Sequence, residues 1–162
     1  SEGANRAEED EATARRIFEL VAQAEARAHG VPLGDVHFHE VGAVDSIADI
    51  VAIAAAVDDL APDGVVVADL PCGTGTVRCQ HGLIPVPAPA TALIAEICGL
   101  PLTPGAVEGA LVTPTGAAVA GALRSADALP ERFAIRRIGM GAGKRAYDTP
   151  GILRAMIIEP LA

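Results

Sequence analysis

His37 and His39 are separated by one residue in the segment Val36-His37-Phe38-His39-Glu40-Val41. On a strand, residues two apart point the same way, with Cα atoms about 6.5 Å apart. Two imidazoles so placed can share one metal ion. Glu40 faces the other way unless the strand ends there. Asp45 follows just past Gly42-Ala43, and Asp45 and Asp49 fall on one face of the next helix at i, i+4. Imidazole ligation suits zinc, nickel, copper or iron, so the pattern leaves the metal open. The plainer reading is one core and one surface histidine, because His-x-His without a third ligand is a common pair.

His81 stands between a Thr/Gly/Arg segment and the proline run Pro85, Pro87 and Pro89. It is a candidate third ligand or acid/base group, or simply a loop histidine. Gly139, Gly141 and Gly143 precede Lys144 and Arg145. Unhindered amides beside two cations can seat an anion, and a tight turn with a solvated basic tip has the same sequence. It is not a Walker A loop, since Ile138 replaces the first glycine and Arg145 the Ser or Thr that would hold magnesium. Thr113-Pro114-Thr115-Gly116 opens a helix, with Thr113 or Thr115 as N-cap or as part of a phosphate seat. Gly73-x-Gly75 lacks the third glycine of a dinucleotide fingerprint. Cys72, Cys79 and Cys98 lack zinc-knuckle spacing and a nucleophile elbow, and read as buried small hydrophobes.

The elements that must position these groups follow from periodicity. Ile17, Phe18, Val21, Ala24 and Ala28 give the stripe of a helix from about Glu11 to His29, with acidic residues at its start and Gly30 and Pro32 at its end. Val36 to Val41 reads as a short strand. A helix from about Ser46 to Leu60 opens on the capping box Ser46-x-x-Asp49 and buries Ile47, Ile50, Val51, Ala54 and Val57. Val65 to Leu70 reads as a buried strand, and Cys72 to Cys79 as a second strand or ribbon. The proline run is extended and short of ladder donors. Helices are predicted over Thr91 to Cys98 and from Thr113 to about Arg124. Strands are predicted over Arg132 to Met140 and Ile152 to Glu159.

The sum is an α/β fold: a mixed sheet packed by Ala-rich helices in a single compact domain over residues 11–162, preceded by a polar N-terminus over residues 1–10 that is expected to be flexible or foreign to the natural protein. A chain of 162 residues, 51% hydrophobic, buries about 70% of its unfolded surface, enough for one core. With 2% aromatics and no Trp, that core is built from Ala, Val, Leu and Ile. A net charge of −9 repels phosphate backbones and anionic bilayers, so neither nucleic acid nor membrane is an expected partner. Ile47 to Val57 is too short and too charged to span a bilayer. Three cysteines without dense spacing fit reduced thiols in the cytoplasm.

Four segments resemble, in order, signatures of the LarC family of nickel-insertion proteins. They are His37-Phe38-His39-Glu40-Val41-Gly42-Ala43-Val44-Asp45-Ser46-Ile47, His81-Gly82-Leu83-Ile84-Pro85-Val86-Pro87-Ala88-Pro89-Ala90-Thr91, Thr113-Pro114-Thr115-Gly116-Ala117-Ala118, and Gly139-Met140-Gly141-Ala142-Gly143 followed by Pro150-x-x-Leu153-Arg154. The resemblance implies insertion of nickel between the sulfurs and a ring carbon of a pyridinium mononucleotide bearing two thiocarboxylates. It also implies consumption of CTP with a divalent metal, a cytoplasmic location and a homo-oligomer. His37, His39 and His81 are then the nickel ligands, with His37, His39, Glu40 and Asp45 as the catalytic group. Thr113, Thr115, Gly116, Gly141, Gly143, Lys144 and Arg145 are then the seat of the nucleotide phosphate. Asp45 is expected to orient an imidazole.

The chain departs from the family in extent. The family's opening Asp-Cys-Phe-Ser-Gly-type strand and Gly-Asp-Met turn, its His-rich insertion and its C-terminal domain find no counterpart, so the chain is expected to be a middle piece of a longer protein. CTP handling is expected in the C-terminal domain. Gly151 stands where the family has Asn. Two rivals accompany the chelatase reading: a nickel-binding or scaffold module without catalysis of its own, and a metal-dependent hydrolase with Glu40 as base.

Overall fold

A computed structural model describes residues 2–36, 44–79, 82–143, 145, 147 and 151–162, except the side chains of 2–9, 44 and 45. Four helices make its centre. Helix α1 (Glu2–His29) is flanked by α2 (Val44–Leu60), α3 (Pro89–Cys98) and α4 (Pro114–Leu123). From α1 come the buried Ile17, Leu20, Val21 and Ala24. Against them pack Ile50 of α2, Ala90, Ile94 and Ala95 of α3, and Ala117 and Ala118 of α4, closed by Leu100 and Val112. Alanines on α3 and α4 let the helices approach closely, while Ile17, Ile50 and Ile94 are the largest fully buried side chains among the described residues. Each such isoleucine contributes about 1.5–3 kcal/mol by leaving water.

Helix α1 ends where the sequence indicates. Gly30 takes φ of +65°, and Val31 N donates to Ala26 O at 3.0 Å, the left-handed cap that glycine adopts without a Cβ clash. Its start is a correction. The helix begins at Glu2 rather than near Glu11, so the acidic residues 8–11 lie within it. Residues 2–10 are largely helix-compatible but lack an apolar stripe, so periodicity gives no sign of them.

Helix α2 is the second correction. It starts at Val44, which puts Ser46 inside the first turn rather than at the cap. Ile50 and Ala54 are buried, yet Ile47 and Val51 are about half exposed. The helix rests chiefly on α1, so only a narrow stripe is covered and the rest of its apolar surface faces outward.

Short strands surround this core. Strands β1 (Leu70–Pro71) and β5 (Leu102–Thr103) pair in parallel and bring Leu70 and Leu102 onto the helices. β2 (Gly73–Thr74) pairs antiparallel with β6 (Gly109–Ala110), β3 (Thr76–Cys79) with β4 (Gly82–Pro85), and β7 (Phe133–Ala142) with β8 (Ile152–Pro160). The fold is α/β with parallel and antiparallel pairing, distributed over four two-stranded sheets among the described residues. The strand expected over Val65 to Leu70 shrinks to a bridge at Val66 and the start of β1. Val65 instead exchanges hydrogen bonds with the loop after α4: its amide donates to Ser125 Oγ at 2.8 Å, and Ser125 N donates back to its carbonyl at 2.9 Å. Val36 is not in a strand and follows a single turn of 3-10 helix, Leu33–Asp35, while the rest of that predicted strand lies outside the described residues. No helix of the described residues is long and apolar enough to cross a membrane.

Candidate functional site

The predicted site residues fall into two groups. His37, His39, Glu40, His81 and Lys144 lie outside the described residues, as does the side chain of Asp45, whose backbone stands in the first turn of α2. The described residues themselves contain no group of three His, Cys, Asp or Glu side chains placed to hold a metal. The predicted phosphate seat is described except for Lys144.

Thr113 is the N-cap of α4. Its backbone is extended (φ −87°, ψ 160°), and its hydroxyl oxygen accepts from Gly116 N at 3.1 Å, with Pro114 in the first helical position. One of the helix's orphan amides is thereby satisfied. Thr115, half-buried in the first turn, is not the cap. Helix α4 lies against α3 at Gly121, where a Cβ would sit 2.5 Å from Cys98 Sγ. Burial raises the Cys98 thiol above its ordinary range, and the Arg16 guanidinium offsets this in part. None of the three cysteines forms a disulfide. Cys72 is buried with its thiol toward the carbonyls of Thr103 and Gly73, as a small core residue should be.

The strands leading into α4 are held by β2. Gly73 has φ of +79°, and a Cβ there would lie 2.0 Å from Gly109 O. Close backbone approach, rather than a dinucleotide, accounts for this glycine. Thr74 Oγ1 donates to Val107 O at 3.2 Å, and Leu111 N to Cys72 O at 3.3 Å. The chain then passes from β6 through Val112 to the Thr113 cap.

Gly141 belongs to β7, opposite Leu153, and Gly143 follows it, with its amide donating to Gly151 O at 3.3 Å. Both are exposed, as is Arg145. Tyr147 is the residue that sequence reasoning missed. Its hydroxyl donates to Ala110 O at 2.8 Å, and its ring lies between Gly109 and Gly151, at 3.4 Å and 3.2 Å from where their Cβ atoms would stand. It therefore fastens the β7–β8 connection to β6, three residues before the α4 cap. The one signal in the sequence is that Tyr147 is the only tyrosine in the chain, two residues beyond the basic pair. The Asn-to-Gly departure at residue 151 also acquires a physical setting, since any side chain there meets this ring.

A family model described as Nickel insertion protein matches residues 2–161. The chain is 52% identical over 145 residues to the pyridinium-3,5-bisthiocarboxylic acid mononucleotide nickel insertion protein of Alkaliphilus metalliredigens, covering 90% of this chain and 34% of that protein. It is 48% identical over 148 residues to a Pelobacter propionicus protein (91% of this chain, 37% of the relative) and 51% identical over 142 residues to a Geobacter sulfurreducens protein (87% and 36%), both named for nickel insertion. The chain thus spans about a third of the length of these relatives. No solved structure matches it. A match that runs from residue 2 to residue 161, with identities near one half along nearly all of the chain, places it in the nickel insertion protein family.

Proposed function

We propose that this chain takes part in inserting nickel into pyridinium-3,5-bisthiocarboxylic acid mononucleotide. The carrying observation is the 52% identity, over 90% of the chain, to a protein named for that reaction. Nickel is the cargo. His37, His39 and His81 are its proposed ligands on the chain, nitrogen donors that release it to softer thiocarboxylate sulfurs more readily than thiolates would. Glu40 and Asp45 are proposed to act beside them, Asp45 as an acceptor that orients an imidazole.

The mononucleotide phosphate is assigned to the start of α4 and the β7–β8 connection: Thr113, Thr115, Gly116, Gly141, Gly143, Lys144 and Arg145. The Tyr147 clasp supports this grouping, because it ties the connection to the strand feeding α4. Thr113 Oγ1 accepts from Gly116 N and takes up that amide, while the hydroxyl protons of Thr113 and Thr115 can still be donated; the two threonines and the basic residues are the proposed direct contacts. CTP with its divalent metal is assigned to the remainder of the full-length protein, which we take to be a cytoplasmic homo-oligomer. As a metal-inserting enzyme it would be classed as a chelatase, a lyase.

A second reading is favoured by extent. The chain spans about a third of its relatives, so it would then be a nickel-binding or scaffold module whose chemistry resides elsewhere. Calorimetric titration of the metal-free chain with Ni²⁺ tests the ligands: one nickel bound, and lost in the His37→Ala/His39→Ala variant, is the expected result. Binding that the variant retains removes these ligands. Titration with the mononucleotide then separates the two readings, since a store or scaffold takes no nucleotide.

A further inference from the structure

The β7–β8 ribbon carries one apolar face that nothing in the described residues covers. Residues directly opposite in an antiparallel pair share a face. The pairs Ile135 with Ile158, Ile138 with Met156, Met140 with Arg154 and Ala142 with Ile152 therefore form a single surface. Ile135 and Ile138 share it although three residues apart, because the register shifts by one residue between Ile135 and Arg137. The shift accommodates Arg136, which ion-pairs with Glu159. Met140 is 73% exposed, Ile138 57% and Ile152 51%. The opposite face holds Arg137, Gly139, Gly141, Ala155 and Glu159 beside Leu153 and Ile157, and is broken by charge and glycine. A bare two-stranded ribbon is marginal in water, so this face calls for a cover.

Area and length say what the cover is. The face is about 30 Å by 10 Å, roughly 300 Å². Two copies stacked through it would bury about 600 Å², half of what a stable dimer interface needs. A segment of the same polypeptide faces no such threshold, because tethering supplies an effective concentration near the millimolar range. The relatives have that polypeptide: this chain matches only 34% of the Alkaliphilus metalliredigens protein and 37% of the Pelobacter propionicus one. The width suits one helix, since two strands about 4.8 Å apart present a strip matching a helix about 10 Å across. Arg154 stands in the middle of the strip with no ion-pair partner among the described residues, and covering it unpaired would be costly.

We propose that the Ile135–Ile138–Met140–Ile152 face is the seat of an amphipathic helix from another part of the full-length family polypeptide, and that this helix sets a carboxylate against Arg154. The proposal rests on family membership and is independent of the nickel chemistry.

The test compares this chain alone with a chimera in which it replaces the matching segment of the Alkaliphilus metalliredigens relative. Met140→Cys and, as a control on the exposed turn before Val65, Asp63→Cys are alkylated with a maleimide and read by peptide mass spectrometry. The expected result is alkylation at 140 slowed by about tenfold or more in the chimera, with position 63 unchanged. Introducing Arg154→Glu into the chimera should then restore the fast rate. Equal rates at 140 in both proteins overturn the proposal. So does protection of the isolated chain that grows with its concentration, which would mean a second copy covers the face. An unchanged rate on Arg154→Glu removes the carboxylate. Should the chimera not fold, the relative itself and its isolated matching segment are compared at the residue aligned with Met140, with the same two outcomes.

Discussion

The hydroxyl of Tyr147 donates to the carbonyl of Ala110 at 2.8 Å, while its ring fills the gap between Gly109 and Gly151. One side chain thus spans from the β7–β8 connection to the strand that feeds α4, and so joins the two halves of the proposed phosphate seat. Tyr147→Phe keeps the ring and loses the hydrogen bond, a cost of about 1 kcal/mol in urea denaturation. Tyr147→Ala also loses the ring and should cost more. If the seat is real, it should weaken mononucleotide binding in calorimetry while leaving nickel binding intact.

Of the two threonines before Gly116, only Thr113 caps the helix, so Thr115 tests the contact without the cap. Thr113→Ala removes the N-cap and should destabilise the chain by about 1 kcal/mol in chemical denaturation. Thr115→Ala leaves the cap in place, so its expected signature is weaker mononucleotide binding with a nearly unchanged denaturation midpoint.

Gly73 admits no side chain. With φ of +79° and Gly109 O 2.0 Å from a would-be Cβ, Gly73→Ala must separate β2 from β6. A loss of about 2–3 kcal/mol or more is expected, from backbone strain and overpacking together. Gly75→Ala is a gentler companion. Its φ is also positive, but the nearest neighbour of a Cβ there is the flexible Glu108 side chain at 3.3 Å.

Cys98 sets a pH dependence. Burial holds its thiol protonated above the usual range, against a partial opposing effect of Arg16. The folded chain therefore retains a proton that the unfolded chain gives up first. This contribution to stability is complete below the ordinary thiol pKa and is lost as pH rises through the raised one. Alkylation of Cys98, followed by mass spectrometry, should need a higher pH in the native chain than in urea. Gly121→Ala, which would press a Cβ to 2.5 Å from Cys98 Sγ, should destabilise by about 1–3 kcal/mol.

Much of this fold is legible from spacing alone. The end of α1 at Gly30, the run of α3 to Cys98, the Thr113 cap and the long strands β7 and β8 all follow from periodicity and stop residues. Local signals fail where partners are remote. Val65 reads as strand, yet its hydrogen bonds go to Ser125, sixty residues away. Ile47 and Val51 read as core, yet among the described residues α2 rests chiefly on α1, and both are about half exposed. Of the site, the cap was legible because its chemistry is local. Tyr147 was not, because its acceptor is a backbone carbonyl thirty-seven residues distant. The roles proposed for the histidine pair, Glu40 and His81 come from pattern and resemblance, since these residues lie outside the described ones.

The chain has one tyrosine and no tryptophan. The residue clamped between two glycines is therefore its sole strong near-ultraviolet chromophore. Tyrosine emission from the unlabelled chain comes from that spot alone, so a ligand settling beside the connection would announce itself in the fluorescence without any dye or mutation.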